Sequence, residues 1–225
     1  MKKYLPLVLL GGGVLVVLLA VFVAIRTFRS GTSTNSSDQV EIIPELPQSQ
    51  WPVVSLTPTT EARIPNSLGH LLDLKVQKIN VPGASTMDYL LVYNTVNGGQ
   101  QGVPGTVKLT GGDIDKNLLL GSESSGKFRF DAGVSQGTIT ITFRNSSGKS
   151  MGKLSSDFHF QSDTTALSSI DNKFVYTLDK VAKGVYFVTM PTFTQPDPSM
   201  YVVWQNGYGV FASDGKPHSG KVANQ

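Results

Sequence analysis

The chain has 225 residues, no cysteine, and 19 basic against 16 acidic residues. Without cysteine there can be no disulfide framework, thiolate zinc site, thiol nucleophile or lipid-modified cysteine. Lys2, Lys3, Arg26 and Arg29 lie in the first 29 residues and every acidic residue lies from Asp38 onward, so the remainder carries 15 basic and 16 acidic groups. That balance removes the electrostatic case for nucleic acid.

The first predicted element is Leu5–Ile25, which holds no charged residue. As a helix its 21 residues would span roughly 31 Å, the thickness of a bilayer's hydrocarbon core. The apolar run is too long for a secretory signal, and cleavage after Ala24 would place Phe22 where a small residue is needed. The reading is an uncleaved anchor with the lipid bilayer as its partner. Gly11, Gly12 and Gly13 are tolerated in lipid.

Lysines before the span and arginines after it tie the positive-inside count. Beyond Arg29 no further basic residue occurs before Arg63, which puts the N-terminus in the cytoplasm and the rest outside the cytoplasmic membrane. Residues 1–29 therefore form a short cytoplasmic tip and a transmembrane anchor. Residues 30–66 read as a Ser/Thr/Pro-rich spacer, punctuated by Pro44, Pro47, Pro52, Pro58 and Pro65. Its apolar pieces Val40–Ile43 and Trp51–Leu56 either stay in the spacer or dock as a short edge strand.

Residues 67–225 read as one all-β domain with a short C-terminal tail. Leu72, Leu74 and Val76 alternate with polar residues, and the phase then slips to Ile79 and Val81, as a bulge near Gln77–Lys78 would cause. The same period of two runs through Phe128–Phe130, Ile139–Phe143, Phe158–Phe160 and Phe174–Leu178. Met87–Val96 is apolar on both faces, which places it centrally or under the spacer. Thr164–Asp171 could form a turn or two of helix. Asn97-Gly98-Gly99, Gly111-Gly112, Ser125-Gly126 and Ser147-Gly148 mark turns, and Asn206-Gly207 is the strongest hairpin signal. Eight to ten short strands with such turns predict an antiparallel β-sandwich.

Leu178–Tyr186 (LDKVAKGVY) resembles the corner between late strands of immunoglobulin-like and fibronectin type III-like sandwiches. The resemblance implies an immunoglobulin-like architecture, with Tyr186 hydrogen-bonding back to the corner, and no function. Leu118–Val134 resembles a segment of uncharacterised bacterial single-pass membrane-anchored β-domain proteins, which brings no activity with it.

Several motifs stop short of chemistry. Gly121–Lys127 fits a phosphate loop until Phe128 stands where Ser or Thr must meet magnesium. Gly133-Val134-Ser135-Gln136-Gly137 spells a nucleophile elbow but joins strand to strand, which argues against a catalytic Ser135. Asp113, Asp115 and Asn117 begin like a calcium loop that lacks its glycine and its closing glutamate, so a solvated turn is the better reading. His70, His159 and His218 lack ligand spacing, and His159 falls on an outward face. Asn35 and Asn145 sit in Asn-Ser-Ser acceptor sequences. No catalytic residue, cofactor or metal is expected.

The candidates for partner binding are Trp204, Tyr208 and Phe211, aromatics crowded near the last hairpin. The expected function is a binding or structural module that recognises protein or glycan at the cell surface. The alternatives are an extracytoplasmic hydrolase and a subunit of a membrane-bound surface assembly. Protease added to intact spheroplasts is expected to remove the C-terminal domain; full protection would reverse the orientation.

Overall fold

The computed structural model describes residues 42–96 and 98–223. The anchor Leu5–Ile25, residues 26–41 and Asn97 lie outside the described residues. Among the described residues no helix is long and apolar enough to cross a membrane.

Strands follow one another from Val53 to Val222. They are β1 (Val53–Pro58), β2 (Leu71–Gln77), β3 (Ala84–Asn94), β4 (Gln100–Lys108), β5 (Ile114–Leu119), β6 (Gly121–Ser124), β7 (Lys127–Phe130) and β8 (Gln136–Asn145). The second half adds β9 (Ser150–Ser162), β10 (Ala166–Ser168), β11 (Val175–Leu178), β12 (Tyr186–Pro191), β13 (Val203–Gln205), β14 (Tyr208–Ala212) and β15 (Gly220–Val222). The fold is all-β and sandwich-like, and every strand pairing is antiparallel.

Seven strands make the large sheet, in the order β13-β14-β12-β9-β8-β3-β4. A three-stranded sheet, β1-β2-β5, covers one face. Between them lies the main core, in which Leu56, Leu72, Leu74 and Leu118 meet Met87, Leu91, Ile141, Phe143, Phe158 and Phe211. A second three-stranded sheet, β10-β11-β15, lies on the opposite face, where Leu167, Tyr176 and Leu178 meet Phe187, Val210 and Ala212.

This layering explains the hydrophobic patterns. In β12, Val188 and Met190 enter the main core and Phe187 enters the second one. In β14, Phe211 faces the first and Val210 and Ala212 the second. Strands covered on both faces read as apolar runs. In β8 Ile139, Ile141 and Phe143 enter the main core, and threonines alternate with them on the other face.

Three expectations need correcting. Residues 43–66, read as the later part of a spacer, belong to the compact unit that begins at Ile43. Leu46 is buried against Gly152, the Lys153 amide donates to Pro44 O, and the Trp51 indole donates to Leu46 O at 2.7 Å. β1 pairs with β2 along its whole length; Pro58 ends that strand and Pro52 precedes it, so the prolines bracket a strand rather than forbid one. Trp51 packs edge-on to Phe193, at 5.6 Å between ring centroids. The phase slip after Gln77 is a strand end, with Lys78 left-handed at φ 54°. Thr164–Asp171 holds β10 instead of a helical turn.

Leu56 is fully buried in the main core. Leu56→Ala is expected to destabilise the protein by about 2–5 kcal/mol, read by urea denaturation, whereas a true spacer position would show no change.

Candidate functional site

The three aromatic candidates do not form one surface. Phe211 is fully buried in the main core and cannot meet a partner, which corrects its reading as a binding residue. Trp204 and Tyr208 are half-buried and sit on opposite faces of the β13–β14 hairpin, because Trp204 opposes Gly209 while Tyr208 opposes Gln205. The Trp204 indole donates to Thr192 Oγ1 at 2.8 Å. The Tyr208 hydroxyl donates to Asp171 at 2.7 Å, and its ring stacks on Phe174. Partial burial opposes ionisation of Asp171, yet hydrogen bonds from Ser169, Tyr208 and the Lys173 backbone outweigh it and hold the carboxyl at about 2. Burial and then Asp171 push the Tyr208 hydroxyl up to about 12. A strand's period of two already separates Tyr208 from Phe211, which are three residues apart.

The motifs resolve into strand geometry. Gly121–Lys127 is the β6–β7 hairpin, turned at Ser125 (φ 52°) and Gly126 (φ 75°). Gly133–Gly137 links β7 to β8, and a Cβ at Gly137 would collide with Val92 O and the Phe158 ring. That glycine serves close strand packing. Asp113, Asp115 and Asn117 run into and along β5 rather than around a turn. Side chains two residues apart on a strand stand roughly 6–7 Å from one another, too far for these three to share an ion. His159 is half-buried, its Nδ1 2.8 Å from Ser168 O. Tyr186 opens β12 after the corner, but its ring lies on Gly69 and stacks with Phe160.

Two surfaces that the sequence did not single out are built more like sites. The first is the outer face of β4, β3 and β8, beyond the edge of the β10-β11-β15 layer. Pairing sets Pro104, Leu90, Thr140 and Ser155 in one row across four strands. The next row is Thr106, Asp88, Thr142 and Lys153. Leu90 is 42% exposed at the centre of an open hollow of about 470 Å³. Along its rim Arg144 Nε donates to Asp88, Thr106 donates to the same carboxylate at 2.8 Å, and Arg144 Nη1 donates to Ser150 at 2.9 Å. Met87–Val96 is therefore a strand second from the edge, and its apolar outer residue meets solvent.

The second surface is the outer face of β2 and β5. Lys75 Nζ stands 2.7 Å from Asp115 and 3.3 Å from Asp73. Asp73 is mostly buried, and its Oδ1 has no hydrogen-bond partner. Burial first, and then the Asp115 carboxyl, push Asp73 up to about 6 against the pull of Lys75. Asp115 shifts the other way, through its hydrogen bonds with Asp73 and Lys75. One residue pair further along, Leu71 and Leu119 floor a second hollow of about 480 Å³ under Ile64 and Phe128.

Comparison with protein-family models, curated proteins and solved structures finds no match.

Because Asp73 titrates higher in the fold than in the unfolded chain, its cost is absent below pH 4, grows through pH 4–6 and is complete above. Asp73→Asn is therefore expected to be more stable than the wild type at pH 7–8, on the order of 1–3 kcal/mol. The gap should close by about pH 4 in urea titrations run across pH.

Proposed function

We propose that this chain is a single-pass membrane protein that displays its β-sandwich outside the cytoplasmic membrane as a binding or structural module rather than as an enzyme. Leu5–Ile25 supplies the anchor, with the N-terminus inside. The observation that carries the binding role is the uncovered half of the large sheet. The large sheet, covered on both faces at β12 and β14, leaves Leu90 and Pro104 in water, ringed by Thr106, Thr138 and Thr140 and by the Asp88–Arg144 pair. Apolar centre and polar rim is the anatomy of a recognition surface. A protein or a glycan lying across the strands is its ligand.

An immunoglobulin-like sandwich is the finer proposal for the fold. What supports it is the corner after Leu178, from which Tyr186 starts a new strand in a different sheet. The layer β10-β11-β15 is then an addition to the basic sandwich.

Two measurements test this reading on the full chain in its membranes. The protein is expected to stay in the membrane fraction after alkaline carbonate, and release would remove the anchor. A photo-crosslinker at Leu90 is expected to give adducts, or a glycan array to give hits that Leu90→Asp abolishes. Labelling no greater than at Ile170, an exposed apolar residue elsewhere, together with a blank array, would overturn the binding role.

A further inference from the structure

The hollow above Leu71 and Leu119 lies on the small sheet, away from the open face of the large one. Three pieces of chain enclose it. Leu71 and Leu119 are cross-strand partners on the outer face of β2 and β5 and make its floor. The segment before β2 contributes Glu61 and Ile64, and buried Ser67 braces it by accepting from the Glu61 amide at 3.0 Å. The β6–β7 hairpin contributes Glu123 and Phe128. Phe130, on the same face of that hairpin as Phe128, stacks on His70 at 4.4 Å between centroids and fixes the hairpin against the body. An apolar side chain entering the hollow would exchange water for Ile64, Leu119 and Phe128, above the already buried Leu71.

The charge around it has one sign in excess. Glu61 and Glu123 stand on different walls, and Asp115 follows on the same face of β5. Lys75 is already shared between Asp73 and Asp115. Among the described residues lining the hollow, Arg63 is the cation, and its Nε donates to Glu61 at 3.2 Å. That arginine side chain is 88% exposed, so its guanidinium stays largely in water. Hydrogen bonds from Arg63 hold the Glu61 carboxyl below its ordinary range. The rim thus already engages a guanidinium that stays open to water.

We propose that this hollow receives a basic peptide segment of a partner protein: an apolar side chain enters above Leu71, Leu119 and Phe128, and flanking lysine or arginine side chains meet Glu61 and Glu123. Exposed pairs of this kind are individually weak, so affinity comes from the apolar anchor and selectivity for charge from the two glutamates. The inference goes beyond the display role above, because it names a different surface and a partner chemistry.

The test uses the full chain in zwitterionic micelles and follows backbone amide shifts by NMR. Three probes are titrated: acetyl-Arg-Leu-Arg-Leu-Arg-amide, its counterpart with Glu for Arg, and its counterpart with Ser for Leu. Only the first is expected to shift the amides of Leu71, Leu119 and Glu123. The double variant Glu61→Gln/Glu123→Gln is expected to weaken it about fivefold. Leu119→Ser should weaken it as well, with amides remote from the hollow unchanged as proof of folding. Equal response to the three probes, an unchanged affinity in the glutamine variant, or shifts confined to Leu90 and Thr140 would each overturn the proposal. The last result would leave the role of the open face standing, so the two readings can fail separately.

Discussion

A sheet seven strands wide has two faces to keep dry, and the arrangement of this protein follows from how it meets that demand. One face is closed by β1-β2-β5 over the main core. The other is closed over β12 and β14, where Phe187, Val210 and Ala212 need cover, and stays open over β4, β3 and β8. Burial stabilises at roughly 25 cal/mol per Å² of apolar surface, so a layer is retained where the strand beneath presents apolar side chains. Threonines on the outer face of β8 present little such surface. The uncovered region is set by side-chain chemistry along single strands.

Much of this was legible in the sequence. Where one face meets water, as in Leu72–Val76 and Ile139–Phe143, the period of two shows directly, and these side chains are buried in the structure. The hairpin at Asn206-Gly207 is equally plain, because φ 53° and φ 81° are what that dipeptide adopts easily. β1 was legible only as an alternative, a docked edge strand or a piece of spacer, because prolines at both ends imitate a linker and its four buried residues from Val53 to Leu56 show no alternation. β10 was hidden for a related reason. Three residues carry too little pattern to separate a strand from a turn.

The sites were less legible than the fold. Asp73 and Asp115 are 42 residues apart in the chain and meet only through the register of β2 against β5. Nothing in the local spacing of either residue announces the pair. The Leu71–Leu119 hollow likewise needs three separate segments. Aromatic crowding near the C-terminus was visible but misleading, since side chains on one strand are sorted to opposite faces by parity. Phe211 went to the core, and Tyr208 to the layer that Asp171 closes.

Two side chains decide where the second layer stops, and so where the open face begins. β10 is an edge strand, and unpaired backbone at such an edge invites a further strand. Here Gln161 of β9 takes that strand's place: its amide donates to Ala166 O at 3.0 Å and its carbonyl accepts from Ser168 N at 3.0 Å. His159, two residues earlier on the same face, lies 2.8 Å from Ser168 O. A pair of side chains rising from one sheet therefore satisfies the backbone of another. The layer can end over β9 with the edge backbone of Ala166 and Ser168 paired. The face from β8 to β4 remains free because β10 has no need of a neighbour.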